Sequence, residues 1–308
     1  MKVISSLSEI KKPLKTSLAI GVFDGVHVGH MKILKLISRK ARSLGVKSCV
    51  ITFREHPDKH LNKQARLLQI KSLSAKLKRI EKCGIDITAA LDFSEISGLT
   101  PDEFAEKVIA GKFGARFAAS GRDFVFGKGA SGNVRTLKKA GKKLGFETAV
   151  VEDVRIGGRR VSSTLIRKLL KTGRLKEAEK MLGRKYEIEG EVVHGRHIGF
   201  EFPTANLNLK YGDIPARGVW AVKVVNGKKE HLGAANIGFA PTLKNEETAL
   251  LEVYILDFKG NLYGRTIRVI FLGRIRPERR FKSRQALLKR VEADIREIRK
   301  KYSKSFSR

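Results

Sequence analysis

The chain has 308 residues, which favours two domains over one. Its 42% apolar residues are enough for packed cores and exclude a disordered polymer. The 64 Lys and Arg exceed the 31 Asp and Glu, and the net charge of +33 suits polyanionic partners such as nucleic acid, membrane surfaces or phosphorylated ligands. The basic residues are spread along every predicted helix, so nucleic acid is not the favoured partner.

The cysteines and the amino terminus indicate the compartment. Cys49 and Cys83 lie in unrelated contexts, so neither a disulfide framework nor a zinc ribbon is indicated. The amino terminus lacks the apolar stretch of a signal peptide, and no run approaches membrane-spanning length. We therefore expect a soluble cytoplasmic protein without a membrane partner.

From Leu18 to about Leu182, short β-rich runs alternate with amphipathic helical stretches. Gly45 is a plausible end for the first helix, and Thr100 to Glu103 has the capping box and early proline of a helix start. The predicted elements follow in the order LAIGV, MKILKLISRKARSLG, SCVITF, LSAKLKRIEKCG, IDITAAL, RFAAS, VRTLKKAGKKLG, ETAVVED and STLIRKLLKTG. This alternation predicts an α/β domain with a parallel sheet, helices on both faces, and ligands at the carboxyl ends of the strands.

After Gly183 the chain becomes rich in β-type runs separated by Gly, Asn, Asp and Pro. This pattern predicts an antiparallel barrel or sandwich, and one long helix from about Ser283 to Tyr302 ends the chain. We expect two domains, at residues 1–182 and 183–308.

The stretch FDGVHVGH, Phe23 to His30, follows the first predicted strand. Histidines three residues apart at a helix start lie on neighbouring parts of one face, and Gly29 between them lets a ligand approach the backbone. The helix start adds unpaired N–H groups, so the group suits a nucleotide polyphosphate. A four-histidine metal site with His56 and His60 has no recognised zinc spacing, and a polar turn with chance histidines is the remaining alternative.

A second anion-binding pattern is VSSTLIR, Val161 to Arg167. Ser162 and Ser163 are good helix caps, and Thr164 opens the predicted helix. Arg167 follows a turn later, where its guanidinium and the free N–H groups suit an anion. A capping role for the serines and a solvated position for Arg167 are the alternatives.

Two glycine-rich patterns are rejected. GKGASG, Gly127 to Gly132, fits GxGxxG and has Glu152 about twenty residues on, but it comes late and after a poorly defined strand. A P-loop starting at Gly121 has one residue too many and lacks the Ser or Thr after Lys128.

Several of these motifs resemble those of a known enzyme family. GVFDGVHVGH resembles the HxGH signature of nucleotidyltransferases in the form of the bacterial bifunctional riboflavin kinase/FMN adenylyltransferases, or FAD synthetases. Class I aminoacyl-tRNA synthetases carry a similar motif, but they need a KMSKS-like loop that this chain lacks. VSSTLIR is similar to the family's second motif, and GRDFVFGKGASGN to a loop bordering its nucleotide and flavin sites. In the second half, FPTANL, Phe202 to Leu207, resembles the PTAN motif of riboflavin kinases, with further similar segments in order.

The resemblance implies a Rossmann-like nucleotidyltransferase domain and a riboflavin kinase-like antiparallel barrel with a terminal helix. The barrel would phosphorylate riboflavin to FMN, and the first domain would transfer AMP to FMN, giving FAD and pyrophosphate; ATP is the co-substrate and Mg²⁺ the cofactor. The resemblance assigns catalysis to His27, His30, Arg167 and Glu252; ATP and phosphate binding to Gly21, Phe23, Asp24, Gly25, Gly29, Ser162, Ser163, Thr164, Gly195, Gly199 and Thr204; flavin binding to Asp123, Phe124, Phe126 and Asn236; and Mg²⁺ to Thr204 and Asn206.

Several alternatives stay open at these positions. Most phenylalanines are core residues, Asn206 could serve a turn, and Glu252, the implied base for the riboflavin 5′-hydroxyl, could face outward on an alternating strand. The kinase phosphate loop after His194 is about two residues shorter than the family pattern and lacks its Gly-Arg pair. A single-activity FMN adenylyltransferase is therefore one alternative function, and a basic nucleic-acid-binding protein is another. Assembly with copies of itself is left open.

Overall fold

A computed structural model of the chain describes residues 1–61, 70–194, 204–208, 215–240 and 248–306. The chain divides into two units, Met1–Ser163 and Thr164–Arg308. The predicted boundary at residue 183 lies later in the chain, after two helices, and stays a prediction. Among the described residues, no helix is both long and apolar enough to cross a membrane.

The first unit is built on a six-stranded parallel sheet. Its strands, with those of two small hairpins, are β1 (Lys2–Ile4), β2 (Thr16–Ile20), β3 (Lys47–Phe53), β4 (Ile87–Leu91), β5 (Ala115–Gly121), β6 (Val125–Phe126), β7 (Gly132–Asn133), β8 (Glu147–Val151), β9 (Arg155–Ile156) and β10 (Arg159–Arg160). The sheet order is β1-β4-β3-β2-β5-β8, and every neighbouring pair is parallel. The parallel sheet is confirmed, with β1 as an additional edge strand that the sequence did not predict.

Helices cover both faces of this sheet, as predicted. They are α1 (Val28–Leu44), α2 (Pro57–Leu61), α3 (Leu73–Glu81), α4 (Ser94–Ser97), α5 (Pro101–Glu103), which continues as a π-helix (Phe104–Lys112), and α6 (Val134–Leu144). Successive residues of β2 face opposite sides: Leu18 and Ile20 belong to the core beneath the π-helix and α6, and Ala19 to the core beneath α1 and α3. Burial on both faces explains why the strands read as continuous apolar runs.

The predicted helix ends are present. Gly45 ends α1 with φ 62°, a left-handed conformation that glycine adopts without strain. Thr100 Oγ1 accepts a hydrogen bond from the Glu103 N–H at 3.2 Å, and the Glu103 carboxylate accepts one from the Thr100 N–H at 3.0 Å. This reciprocal capping box fixes the start of α5.

The connections diverge from the middle of the sheet. From β2 the chain continues to β3 on one side, and from β5 it continues to β8 on the other. The loops after β2 and β5 therefore leave a crevice between them at the carboxyl edge. Such a switch point is where open α/β sheets bind ligands.

The second unit is a closed antiparallel barrel with helices at its two chain ends. Its elements are α7 (Ser163–Lys171), whose first residue is the last of the first unit, α8 (Leu175–Leu182), β11 (Glu187–Val193), β12 (Thr204–Asn208), β13 (Gly218–Asn226), β14 (Lys229–Ala240), β15 (Thr248–Ile255), β16 (Thr266–Arg276) and α9 (Arg284–Tyr302). The closed order is β11-β12-β15-β14-β13-β16. Of the two predicted arrangements the structure has the barrel, and the terminal helix lies where the sequence placed it.

A buried ion-pair group attaches α9 to the barrel. The Asp294 carboxylate is 2% exposed and accepts hydrogen bonds from Arg276 at 2.8 Å and from Arg290 at 2.9 Å. Arg276 is on β16 and Arg290 is one turn before Asp294 on α9, so one carboxylate joins a strand to the helix.

Candidate active sites

The loop after β2 has an unusual backbone. Phe23 and Val26 have φ angles of 52° and 39°, and Gly25 has φ 73°. A left-handed conformation is uncommon for phenylalanine and strained for a β-branched residue such as valine. Strain of this kind persists where the surrounding structure enforces it, which is frequent at functional sites.

His27 caps the helix that follows this loop. Its Nδ1 atom accepts a hydrogen bond from the His30 N–H at 3.2 Å, so an imidazole takes the capping position that Ser, Thr, Asp or Asn usually fill. The rings of His27 and His30 stack, with centroids 3.6 Å apart and planes at 16°. The structure thus brings together the two imidazoles that the sequence analysis singled out.

Two neighbours hold this stack in place. The ring of Phe23 contacts that of His30 edge-on, with centroids 5.1 Å apart. A Cβ atom added at Gly29 would lie 3.1 Å from Cε1 and 3.2 Å from Nδ1 of His27, closer than ordinary contacts. The absence of a side chain at Gly29 therefore lets the His27 ring adopt its position.

The surroundings of His30 favour its neutral form. Desolvation, followed by the nearby His27 and Lys76, lowers the pKa of His30 well below its ordinary value of 6.5. Its Nδ1 atom is buried and has no hydrogen-bond partner among the residues that the structure describes. A buried polar atom of this kind normally has a partner, so a ligand atom is an obvious candidate.

Asp24 ties the loop to the segment before α3. Its carboxylate is 4% exposed and accepts the Ile70 N–H at 2.9 and 3.1 Å from its two oxygens. The predicted site residue Asp24 therefore lies in the loop, but its carboxylate fixes the backbone there. Gly21, Phe23 and Gly25 lie in the same loop, as expected.

Lys76 is a charged residue of this site that the sequence analysis missed. It is 2% exposed, and its Nζ donates hydrogen bonds to Val22 O, Thr52 Oγ1 and Phe53 O at 3.3, 3.2 and 2.6 Å. Burial lowers its pKa from 10.5 to about 8, although the nearby Asp24 acts in the opposite direction. The signal in the sequence was its position four residues before Ile80, on the apolar face of α3.

A serine of the second predicted motif contacts this loop. Ser163 Oγ donates a hydrogen bond to the main-chain oxygen of Asp24 at 3.0 Å. Ser163 is the first residue of α7, one position earlier than the start predicted at Thr164, and Ser162 directly precedes it. Arg167 follows four residues later, about 6 Å along the helix, within the second unit. Its 9% exposure excludes the solvated position, and its approach to the imidazoles stays a prediction.

The proposed flavin-binding residues follow β5, on the other side of the crevice. The Asp123 carboxylate pairs with Arg160 at 2.7 Å, and Arg160 also contacts Asp153 at 3.0 Å. The rings of Phe124 and Phe126 stack, with centroids 5.3 Å apart. Phe126 is a core residue at 7% exposure, so Phe124, which is partly buried, is the ring with surface left to offer.

In the barrel, three polar side chains form a row across neighbouring strands. Glu252 on β15 is in register with Asn206 on β12 and with Asn236 on β14. Asn236 Nδ2 donates a hydrogen bond to Glu252 Oε2 at 3.2 Å. Leu251 and Val253 are fully buried, so Glu252 is on the face opposite to the apolar interior, which was the structural alternative for this residue. On this outer face the Glu252 carboxylate therefore lies between the amide side chains of Asn206 and Asn236.

The predicted Mg²⁺ ligands lie on β12. Asn206 Nδ2 donates a hydrogen bond to the Thr204 main-chain oxygen at 3.4 Å. The Asn206 amide oxygen and the Thr204 hydroxyl are the two groups that could ligate a metal ion. Gly195 and Gly199, predicted to bind phosphate, lie outside the described residues. Within the described ranges no three His, Cys, Asp or Glu side chains gather to hold a metal ion. His56 contacts Asp58 at 3.5 Å, and the His60 ring packs against Phe93.

Comparison with known proteins identifies the family. The family model for FAD synthetase matches residues 9–165, and that for riboflavin kinase matches residues 182–302. The bifunctional riboflavin kinase/FMN adenylyltransferase of Haemophilus influenzae is 35% identical over 306 residues, covering 96% of this chain and 97% of that protein. The chain belongs to the bifunctional riboflavin kinase/FMN adenylyltransferase family.

A second curated relative and one solved structure are also similar to this chain. The bifunctional riboflavin kinase/FMN adenylyltransferase of Pseudomonas fluorescens is 34% identical over 299 residues and 96% of each chain. A crystal structure described as a macrolide-efflux protein from Streptococcus pneumoniae has a TM-score of 0.85 at 30% identity and covers 97% of this chain and 99% of that one. The resemblance stated from the motifs is thereby confirmed, with both family domains in the expected order.

Proposed function

We propose that this member of the riboflavin kinase/FMN adenylyltransferase family makes FAD from riboflavin in two steps. The barrel unit phosphorylates riboflavin to FMN with ATP, and the α/β unit transfers AMP from a second ATP to FMN, releasing pyrophosphate. The observation that carries the second step is the stacked imidazole pair at a helix start, on the carboxyl edge of the sheet. Support for the first step comes from the row of Asn206, Glu252 and Asn236.

Adenylyl transfer is an in-line displacement at phosphorus. An oxygen of the FMN phosphate forms a bond to the α-phosphorus of ATP, and the bond from that phosphorus to pyrophosphate breaks. Such a step depends on positioning and charge stabilisation rather than on a covalent intermediate. His27, His30 and the helix N–H groups would donate hydrogen bonds to the pyrophosphate oxygens, and the Arg167 guanidinium would neutralise the charge that builds up on them.

In riboflavin phosphorylation the 5′-oxygen of riboflavin forms a bond to the γ-phosphorus of ATP, and the bond from that phosphorus to ADP breaks. The proton of the 5′-hydroxyl needs an acceptor beside it. The Glu252 carboxylate would accept that proton, and the Asn236 amide bonded to one of its oxygens would orient it. The hydroxyl of Thr204 and the amide oxygen of Asn206 are hard donors that fit Mg²⁺, and this ion would neutralise charge on the transferred phosphoryl group.

The proposed setting follows from the same observations. The partners are the small molecules riboflavin, FMN and ATP. Cys49 and Cys83 form no disulfide, which fits the reducing cytoplasm.

Product analysis tests the proposal. The purified protein is incubated with ATP, Mg²⁺ and either riboflavin or FMN, and flavins are separated by chromatography. His30→Ala should abolish FAD formation and spare FMN formation; Glu252→Ala should abolish FMN formation from riboflavin and spare FAD formation from supplied FMN. His60→Ala, an exposed histidine outside both sites, is the matched control. Loss of both products in both variants would contradict separable sites.

The shortened phosphate loop after His194 supports a second candidate, a single-activity FMN adenylyltransferase. The same assay separates the two functions. A single-activity enzyme makes FAD when FMN is supplied and makes no flavin product from riboflavin.

A further inference from the structure

Lys76 and the segment before it hold the histidine loop from two directions. Ile70, two residues before the cap of α3, donates its N–H to Asp24 in the loop, and Lys76 on α3 donates to the Val22 carbonyl just before it. The backbone that leads from β2 to the imidazole pair is therefore fixed on both sides of the left-handed Phe23.

The lysine also joins the loop to the neighbouring strand. Thr52 on β3 donates its hydroxyl proton to Val22 O at 2.8 Å and accepts a hydrogen bond from Lys76 Nζ at 3.2 Å. The ammonium donates a third bond to Phe53 O at 2.6 Å. All three N–H bonds of the ammonium thus have acceptors at the carboxyl ends of β2 and β3.

The charge of Lys76 acts on the same site. Among the described residues, Lys76 interacts with the ionisable groups of Asp24 in the loop and His30 on α1. Arg54 follows β3, but its guanidinium donates to the carbonyls of Ala90 and Ser5 instead. A cation in a dry interior opposes protonation of His30 nearby and opposes folding, because burial penalises the charged form.

We propose that protonated Lys76 is a positioning residue for adenylyl transfer, which fixes the loop from Val22 to Asp24 and thereby orients the imidazole pair. It acts through that loop and through the charge state of His30. The inference rests on the proposed adenylyl transfer by the first unit.

The test compares Lys76→Met with Lys78→Met, a control at an exposed position on the same helix. FAD formation from FMN and ATP is measured from pH 6 to 9.5 in each variant, and FMN formation from riboflavin is the internal control. In the unsubstituted protein we expect kcat/KM for FAD formation to fall above about pH 8, as the ammonium loses its proton. Lys76→Met should lower kcat/KM at pH 7 by about 10- to 100-fold, the size expected for lost hydrogen bonds to a charged group, and should lack the alkaline fall.

The possible outcomes are distinct. Lys76→Met with an unchanged rate, or with a lower rate but the same fall above pH 8, overturns the inference. An unsubstituted protein that makes no FAD from FMN overturns the proposed function instead. Thr52→Val, which removes the hydroxyl between Lys76 and Val22, provides a second variant should Lys76→Met not fold. It should lower FAD formation several-fold and leave FMN formation unchanged, and an unaffected Thr52→Val would count against the inference.

Discussion

The buried ammonium of Lys76 should make the stability of the first unit depend on alkaline pH. Its pKa is about 8 in the folded chain and 10.5 in the unfolded one. Between these values the unfolded state binds more protons than the folded state, so the free energy of unfolding rises with pH there. Below pH 8 the whole unfavourable contribution of the buried charge is present, and above pH 10.5 it is lost.

The magnitude follows from the difference between the two pKa values. One pKa unit corresponds to about 1.4 kcal/mol, so the full contribution is about 3 kcal/mol. About 2.5 kcal/mol of it should disappear between pH 7 and pH 10. Lys76→Met removes the titrating group but keeps a similar volume, so the stability of the unsubstituted protein relative to this variant should rise by that amount over this range.

Urea unfolding at several pH values, followed by far-UV circular dichroism, measures this difference. Trp220, the single tryptophan, is fully buried in the barrel, so its fluorescence reports on the second unit as an internal reference. Subtracting the variant from the unsubstituted protein cancels the titration of the other groups. If the difference in free energy of unfolding stays constant from pH 7 to pH 10, or falls, the buried ammonium does not destabilise the first unit as predicted.

Two further predictions concern the imidazole stack and the barrel. Gly29→Ala should displace the His27 ring and lower FAD formation several-fold. It should not lower thermal stability, since Ala favours helices more than Gly. Product chromatography and a melting curve check this, and unchanged FAD formation would contradict it. Asp294→Ala should lower the free energy of unfolding of the barrel by about 3 kcal/mol, because Arg276 loses its buried partner. Trp220 fluorescence in urea measures this loss, and a shift below about 1 kcal/mol would count against it.

Much of the fold could be predicted from the sequence because the local signals for helices and strands agree with the tertiary structure. The capping box at Thr100 and the glycine after α1 mark helix ends through backbone hydrogen bonds that form within a few residues. The change from alternating elements to β-rich runs after residue 183 separates the parallel sheet from the barrel. The edge strand β1 was missed because three residues with one buried side chain give almost no periodic signal.

The candidate sites could be predicted only in part, because many of their contacts join distant parts of the chain. The two histidines are three residues apart, so their position on neighbouring parts of one face could be predicted from helix geometry. The stacking of their rings could not, because His27 is a cap residue with an extended backbone. The partners of Lys76 and Arg160 became visible only in three dimensions, because they come from distant parts of the chain. The row around Glu252 likewise depends on the register of three strands, which single-strand patterns do not specify.

The cap formed by His27 decides which tautomer this imidazole presents. Since Nδ1 receives the His30 N–H, a neutral ring must carry its proton on Nε2. That N–H can be offered to a phosphate oxygen without any positive charge on the ring. A proton on Nδ1 would displace the His30 N–H from its acceptor, so a positively charged His27 ring and this helix cap exclude each other.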